Sequence, residues 1–456
     1  MVSLYAASKK IYPRSVEGVF AYWRWVFVWL TQILFYCLPW FEWGSRQAVL
    51  FDLGARRFYI FGLVLYPQDF IYLTGLLVIS ALALFLFTAV AGRLWCGYAC
   101  PQTVYSEIFL WIERKIEGDR SARMRLDDAN FSLEKLVKKW YKHIVWIFFS
   151  IWTGFTFVGY FTPIRDLTME FFLTTMSSWE LFWIFFYAFA TYGNAGFMRE
   201  QVCKYMCPYA RFQSAMFDHD TLIVTYDTER GEPRGPRSKK VGLAESNLGA
   251  CVDCSLCVQV CPTGIDIRNG LQYECIGCGA CADVCDTVMD KMGYARGLVR
   301  YSTQNAIRNK WSSAEIWARL RRPRIQIYTL ILSALVVGLL VSLSLRTPFK
   351  VDVVRDRASL ARITEYGTLE NVYRLQIMNA NETEQTYQLQ VKGLPNLQIK
   401  TDTEVVVEAA QSRWVVLRAD IPYGSAEAGS HKIQFLIQAK DSQDFVVEKS
   451  VFIVPR

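Results

Sequence analysis

Eight cysteines are concentrated in a short stretch of the chain, in two runs of the same form. The first run is C-x2-C-x2-C-x3-C-P, from Cys251 to Pro262, and the second repeats the cysteine spacing from Cys275 to Cys285. Thiolates at this spacing hold two 4Fe–4S clusters in bacterial ferredoxins. A zinc ribbon is the alternative, but it uses four ligands in two C-x2-C pairs that lie further apart. The pattern therefore predicts two iron–sulfur clusters that carry electrons.

The same pattern assigns each cysteine to a cluster, because the fourth cysteine of each run reaches the cluster of the other run. One cluster is expected to be bound by Cys251, Cys254, Cys257 and Cys285. The other is expected to be bound by Cys275, Cys278, Cys281 and Cys261. Asp286 stands where the first run has its proline, which changes the local backbone but not the ligand set.

A second cysteine motif occurs twice, as Cys96-Gly-Tyr-Ala-Cys100-Pro101 and as Cys203-Lys-Tyr-Met-Cys207-Pro208. On a helix the two sulfurs of each motif share one face, whereas the proline favours a turn at the second cysteine, and both arrangements stay open. The duplication predicts that four thiols meet in one redox or copper site. Soft thiolates select Cu(I), iron–sulfur clusters or zinc. Buried structural cysteine is the alternative for these four residues.

The remaining candidates for metal ligands are expected to have ordinary structural roles. Cys37 stands alone and is expected in a core, and Met198 and Met206 are expected to pack beside the second C-x3-C-P motif. The chain has three histidines, and His143 is expected to be a solvated residue at the start of a helix rather than a haem ligand. No P-loop and no G-x-G-x-x-G after a strand is present, so electrons must come from a partner protein or from quinol.

The elements that position these cysteines include membrane helices, each of which needs roughly 20 apolar residues. Five stretches qualify: about Tyr22–Phe41, Asp69–Ala91, His143–Thr162, Glu180–Met198 and Gln326–Leu345. The 15 Trp, 30 Phe and 24 Tyr residues fit a membrane protein with aromatic belts at the bilayer surface. Each C-x3-C-P motif directly follows a predicted span. The membrane domain is therefore expected to be an α-helical bundle of about five spans.

The distribution of Lys and Arg predicts the orientation of the chain. The N-terminal arm to Arg24 carries 4, the connection 92–142 carries 10 and the segment 199–324 carries 18, against 3 in the loop 44–68 and 1 in the loop 163–179. Positive loops stay on the cytoplasmic side. This rule places the N-terminus and the ferredoxin-like domain in the cytoplasm and the C-terminal tail in the periplasm of a bacterial inner membrane. It also accounts for the net charge of +8 without nucleic-acid binding.

The tail consists of short alternating runs such as NVYRLQIMN and HKIQFLIQAK, separated by turn sequences such as GLPN. About seven such strands predict an all-β immunoglobulin-like sandwich without the cysteine pair of antibody domains. We predict four regions: residues 1–198 with four spans and the first C-x3-C-P motif, 199–325 with the second motif and the α+β ferredoxin-like domain, 326–345 as the fifth span, and 346–456 as the sandwich.

Over essentially its whole length the chain resembles the CcoG family, also called FixG or RdxA, of cytochrome c oxidase accessory proteins. The resemblance rests on the duplicated C-x3-C-P motifs, the stretch RFQSAMFDHDTLIVTYD, the eight ferredoxin cysteines, the last span and the cysteine-free tail. It implies a role in assembly of cbb3-type oxidase, with reduction of Cu(II) to Cu(I) as the chemistry. It also implies partners among copper chaperones, assembly factors and oxidase subunits, with self-association left open. Cys96, Cys100, Cys203 and Cys207 become the candidate copper site.

Three hypotheses follow for the function. The first is a cupric reductase, since one-electron clusters suit a one-electron metal reduction. The second is a quinol-linked relay that passes electrons to a periplasmic reductase, with the sandwich as its docking domain. The third is an assembly scaffold in which the clusters only brace the fold. In each case the sandwich is expected to bind a partner protein.

Overall fold

A computed structural model describes residues 10–238, 247–356 and 361–455, apart from the side chains of Ser214, Ser313 and Leu320. The chain forms two compact units. The first comprises Met1–Phe41 and Thr74–Val336, and the second comprises Glu42–Leu73 and Val337–Arg456. The predicted division at residues 198, 325 and 345 follows sequence motifs rather than compactness, and it stays a prediction.

The α-helices have the following bounds: α1 Val19–Cys37, α2 Phe70–Ala91, α3 Leu94–Tyr98, α4 Pro101–Glu117, α5 Arg120–Asp128, α6 Leu133–Val158, α7 Ile164–Leu173, α8 Ser178–Thr191, α9 Pro208–Met216, α10 Thr228–Gly231, α11 Leu256–Gln259, α12 Ala280–Met292, α13 Gln304–Arg308, α14 Ser313–Ala318 and α15 Pro323–Ser344. The strands have the following bounds: β1 Glu42–Trp43, β2 Arg46–Gln47, β3 Val49–Asp52, β4 Arg57–Ile60, β5 Leu63–Leu65, β6 Ile223–Tyr226, β7 Val299–Ser302, β8 Phe349–Arg355, β9 Arg362–Ile363, β10 Thr368–Asn379, β11 Gln385–Lys392, β12 Gln398–Ile399, β13 Glu404–Val407, β14 Ser412–Pro422, β15 Gly429–Ala439 and β16 Phe445–Val454.

All five predicted membrane spans fall on helices, but two of the helices in the described ranges are long and apolar enough to cross a membrane. These are Pro67–Ala91, which contains α2, and Pro323–Ser344, which is α15. The first predicted span corresponds to α1, which has 19 residues and carries Arg24. The fourth corresponds to α8, which has 14 residues before the backbone becomes π-helical at Tyr192–Met198. The structure therefore supports two full-length spans where the sequence predicts five.

The third predicted span lies on α6, which begins ten residues earlier than predicted. Ser132 caps this helix, because its side chain accepts a hydrogen bond from the backbone N–H of Lys135. His143 consequently lies within the helix and not at its start. Its Nδ1 is 2.9 Å from the hydroxyl oxygen of Tyr192. The expectation of a solvated histidine at the start of a helix was therefore wrong.

The cysteine-rich part of the first unit has an α+β arrangement, as predicted for a ferredoxin-like domain. Strands β6 and β7 pair in antiparallel register over their whole length. Helix α12 packs against β7 and ends at Gly293, whose positive φ of 77° suits a glycine after a helix. Met289 and Leu298 are each 1% exposed in the apolar core between these elements. This core also contacts cysteines of both runs.

The C-terminal tail in the second unit is a sandwich of two antiparallel sheets. One sheet has the strand order β12-β14-β10-β8 with β9 paired to β10, and the other has the order β13-β11-β15-β16. Inward-facing side chains alternate with exposed ones along β15, as the sequence pattern predicts. The core between the sheets includes Tyr373, Leu375, Phe435 and Phe452, each at most 1% exposed. The all-β, immunoglobulin-like prediction is confirmed for the described tail.

The segment Glu42–Leu73 also belongs to the second unit and is not the simple loop that its sequence suggests. Strands β3, β4 and β5 form a small antiparallel sheet. Leu50, Tyr59 and Val64 of this sheet pack against Met378 of the sandwich. The hydroxyl of Tyr66 donates a hydrogen bond of 2.8 Å to a backbone carbonyl of β10. The segment is therefore an integral part of the sandwich unit.

Candidate metal and redox centre

The four cysteines predicted to bind the first cluster line one cavity. Cys251, Cys254, Cys257 and Cys285 line this cavity together with apolar side chains such as Met289. Cys257 lies on α11 and Cys285 lies on α12, which pack against each other. Cys251 is buried and Cys254 is exposed. This cavity is called the first cluster site below.

The four cysteines predicted to bind the second cluster line a neighbouring cavity. These residues are Cys261, Cys275, Cys278 and Cys281. Gly277 sits between two of them with a positive φ of 65°, a conformation that glycine adopts without strain. Cys257 lines this cavity as well as the first one, so the two cavities are adjacent. This cavity is called the second cluster site.

The donor chemistry of both sites fits iron–sulfur clusters. Burial raises the pKa of Cys275 and Cys285 to about 12 each, and the pKa of Cys281 well above its usual value. Neighbouring cysteines raise the pKa of Cys281 further. Thiols in such surroundings become thiolates only when a positively charged metal group lies among them. Within the described residues, no three His, Cys, Asp or Glu side chains are close enough for a single metal ion.

The two C-x3-C-P motifs fold alike at the second cysteine. Cys100 is the extended residue directly before α4, and Cys207 holds the same place before α9. The prolines that follow, Pro101 and Pro208, occupy the first turn of each helix, where the missing N–H is not needed. Of the two arrangements left open by the sequence, the turn is therefore the one that forms.

The four C-x3-C-P thiols are close enough to one another to interact electrostatically. Burial raises the pKa of Cys96 to about 12, and Cys100 is the next largest cause. Burial also raises the pKa of Cys203 to about 11, followed by the effects of Cys100 and Cys207. The thiol of Cys96 donates a hydrogen bond of 3.4 Å to Oε1 of Gln213, a residue that the sequence analysis did not single out.

The other soft side chains differ from their expected placement. Cys37 is exposed at the end of α1 rather than in a core. Met206 is 56% exposed, so the expectation that it packs beside the motif was wrong. Met198 is partly buried.

The first C-x3-C-P motif lies directly against the second cluster site. A Cβ atom added to Gly97 would be 2.8 Å from the carbonyl oxygen of Gly277 and 2.9 Å from Cα of Cys278. Cys96 and Cys203 pack against the apolar cluster that contains Ile276 and Cys278. Neither C-x3-C-P pair is among the residues that line either cluster site. The first motif therefore contacts the loop of the second site through Gly97, and Cys96 and Cys203 pack on the apolar cluster that includes Cys278.

A buried ionic network holds the helix that follows the first motif. Glu113 of α4 is 1% exposed and accepts from Arg123 at 3.1 Å and from Arg199 at 2.9 Å. Lys142 of α6 is 3.5 Å from its second oxygen. Burial alone would raise the pKa of Glu113, but these three cations hold it at about 2. The network joins α4, α5 and α6 to the segment that precedes the second motif.

Family profiles match three parts of the chain. A profile described as "4Fe-4S dicluster domain" matches residues 198–304, and one described as "4Fe-4S binding domain" matches residues 73–118, which include Cys96 and Cys100. A profile described as "IG-like fold at C-terminal of FixG, putative oxidoreductase" matches residues 339–455.

Relatives match most of the chain. It is 39% identical over 423 residues to "Nitrogen fixation protein FixG" of Rhizobium meliloti. The aligned region covers 86% of this chain and 81% of that protein. It is 38% identical over 453 residues to "Protein RdxA" of Cereibacter sphaeroides, which covers 96% of this chain and 95% of that protein. The chain belongs to the FixG/RdxA family. A crystal structure of a FixG-related protein from Vibrio parahaemolyticus is 26% identical over 24% of this chain and 97% of its own length, with a TM-score of 0.22.

The family membership and the profiles together make this chain a FixG-family iron–sulfur protein with 4Fe–4S-binding domains and a C-terminal immunoglobulin-like fold. The resemblance predicted from the motifs is thereby confirmed. The structure adds three arginines close to the cysteines that sequence reasoning missed: Arg24, Arg93 and Arg268. The signal for Arg93 was its place three residues before Cys96, where an apolar span ends.

Proposed function

We propose that this FixG/RdxA-family protein is a cupric reductase that supplies Cu(I) for assembly of a cbb3-type oxidase. The observation that carries the proposal is the contact between the first C-x3-C-P motif and the loop of the second cluster site, through Gly97 and Gly277, with Cys96 and Cys203 packed on the apolar cluster beside it. A thiolate site that binds copper would thus lie beside a one-electron centre. Soft thiolates favour Cu(I) over Cu(II). Since no three of the described His, Cys, Asp or Glu side chains meet at one metal ion, one Cu(I) would be held by at most two of these cysteines.

The roles of the residues follow from their placement. When bound, the two 4Fe–4S clusters supply one-electron carriers. Cys251, Cys254, Cys257 and Cys285 would hold one, and Cys261, Cys275, Cys278 and Cys281 the other. Cys96, Cys100, Cys203 and Cys207 would bind the copper substrate. Reduction of each Cu(II) to Cu(I) would require one electron, which a reduced 4Fe–4S cluster held by these cysteines would supply.

We further propose that the protein is a multi-pass protein of the bacterial inner membrane, with the cysteines on the cytoplasmic side. The two full-length apolar helices and the distribution of Lys and Arg support this placement. Copper would then be reduced on the cytoplasmic face. The sandwich would lie in the periplasm and bind an assembly factor, a copper chaperone or an oxidase subunit.

The test begins with anaerobic purification of the full chain in detergent. Iron and sulfide analysis should give about eight irons per chain, four for each cluster. Cu(II) is then added to the dithionite-reduced protein, freed of excess reductant, in the presence of a chelator specific for Cu(I). Loss of the reduced-cluster EPR signal as Cu(I) appears supports a cupric reductase. Full clusters that remain reduced after Cu(II) addition contradict it and favour the quinol-linked relay.

Variants then locate the copper site. Cys96→Ser and Cys203→Ser should keep the iron of both clusters and lose Cu(I) formation, while Cys37→Ser, at an exposed position outside the motifs, should behave as the unmodified chain. Normal Cu(I) formation in both motif variants would remove the C-x3-C-P thiols from the proposal. Normal oxidase assembly in cells whose protein lacks its clusters would favour the scaffold.

A further inference from the structure

Arg93 is buried between the two kinds of cysteine motif. It follows α2, precedes α3 and is 6% exposed. Its guanidinium donates hydrogen bonds to three backbone carbonyls. Two of these carbonyls belong to Tyr273 and Cys275, in the loop that enters the second cluster site. The hydrogen bond to the carbonyl of Cys275 is 3.3 Å long. The third belongs to Ala210 of α9, the helix that follows the second C-x3-C-P motif.

The backbone around Arg93 is in equally close contact with that loop. A Cβ atom on Gly277 would lie 3.1 Å from the carbonyl carbon of Arg93 and 3.2 Å from its oxygen. Gly97, one helical turn further along, contacts the same loop. One arginine thus ties together the first motif, the helix of the second motif and the loop that carries Cys275.

The charge of Arg93 acts on cysteines of both centres. Its guanidinium interacts electrostatically with Cys96 and Cys203 of the C-x3-C-P motifs and with Cys275 of the second cluster site. Reduction of a cluster adds negative charge, so a nearby fixed cation stabilises the reduced form. The effect is stronger in a buried site than in water.

We propose that Arg93 is a positioning residue that holds the second cluster site against the C-x3-C-P thiols and raises the reduction potential of the cluster bound there. The effect on the potential stands by itself. The effect on copper reduction rests on the proposed function, because it requires that the C-x3-C-P thiols bind the copper.

The first cluster site offers a matched control. Arg268 lines that cavity, and its charge acts on Cys257. It forms an ion pair of 2.7 Å with Asp266 and a second ion pair with Asp253. Its charge is therefore largely compensated within the site, and its removal should affect the second cluster little.

The experiment uses the full chain in detergent with Arg93→Gln, Arg93→Lys and Arg268→Gln. The midpoint potentials of both clusters are measured by EPR during an anaerobic redox titration. A Cys254→Ser variant, altered at the first site, shows which midpoint belongs to which cluster. Arg93→Gln should lower the midpoint of the second cluster and leave that of the first unchanged. Arg268→Gln should leave the second midpoint unchanged.

Arg93→Lys separates charge from geometry. An ammonium keeps the positive charge but lacks the planar fork that reaches three carbonyls. Its second-cluster midpoint should stay close to that of the unmodified chain, whereas oxidation of the second cluster by Cu(II) should slow about tenfold, equivalent to 1.4 kcal/mol in the barrier.

Three results are decisive. Unchanged midpoints in Arg93→Gln with full iron content would overturn the effect on the potential. If Arg93→Gln loses iron, the positioning role is tested with Arg93→Lys. A rate of second-cluster oxidation by Cu(II) equal to that of the unmodified chain would then overturn the positioning role. A chain whose clusters ignore Cu(II) altogether, but whose second midpoint falls in Arg93→Gln, would refute the proposed function and leave the inference about the potential in place.

Discussion

The contact between Gly97 and the second cluster site can be tested by a single methyl group. In Gly97→Ala the new Cβ atom would lie 2.8 Å from the carbonyl oxygen of Gly277 and 2.9 Å from both Cα of Cys278 and the carbonyl oxygen of Ile276. All three are backbone atoms, so no side chain can rotate away. Ordinary contact requires the loop to retreat by roughly half an ångström. Overpacking of this kind costs about 1–3 kcal/mol.

The strain of Gly97→Ala falls on the loop that carries Cys275 and Cys278. We therefore expect the free energy of unfolding to fall by about 1–3 kcal/mol. We also expect a changed EPR signal of the second cluster and slower oxidation of that cluster by Cu(II). Gly193→Ala is the matched control, because a Cβ atom at Gly193 meets nothing within 4 Å. Unchanged stability, EPR signal and oxidation rate in Gly97→Ala would refute the close packing of the motif on the cluster loop.

Further predictions concern the ionic network, the cluster ligands and the sandwich unit. Glu113→Gln leaves buried cations without their carboxylate and should cost about 3–5 kcal/mol in denaturant unfolding, whereas Glu134→Gln, which breaks a surface pair, should cost under about 1 kcal/mol. Because the folded pKa of Glu113 is about 2 and an unfolded glutamate titrates near 4.3, its contribution is complete above pH ~4.3 and is lost as the pH falls toward 2. Unfolding curves of the unmodified chain should show this loss, and those of Glu113→Gln should not. Cys254→Ser should change or remove one cluster, seen as a loss of up to about four irons per chain, while Cys37→Ser should lose none. Tyr66→Phe leaves a buried carbonyl of β10 without its donor and should lower the unfolding free energy of the sandwich unit by about 1 kcal/mol.

The packing within the second unit bears on membrane topology. The segment Glu42–Leu73 and the C-terminal tail form one compact body. Arg346 of the tail lies 2.5 Å from Asp69, which is 1% exposed at its side chain. Two segments that fold together must lie on the same side of a bilayer. The Lys and Arg distribution predicts that both of them lie outside, so the packing is consistent with the proposed orientation.

The sequence by itself determined the features that depend on short separations along the chain. Ligands two or three residues apart are brought together by a single turn, so the grouping of Cys251, Cys254 and Cys257 followed from spacing alone. The residue before a proline avoids helical geometry, which favoured the turn at Cys100 and Cys207. Alternating apolar residues determined the strands of the tail, because successive side chains of a strand face opposite sides.

Only the tertiary structure decided which of these local features meet. Arg93 bonds a carbonyl 182 residues away, and Gly97 touches Gly277, although nothing in either segment specifies its partner. The segment Glu42–Leu73 likewise packs on the sandwich through apolar side chains whose partners lie more than 270 residues further along the chain. Long-range contacts of this kind depend on how complete elements pack, and packing is a property of the three-dimensional surface that no local pattern encodes.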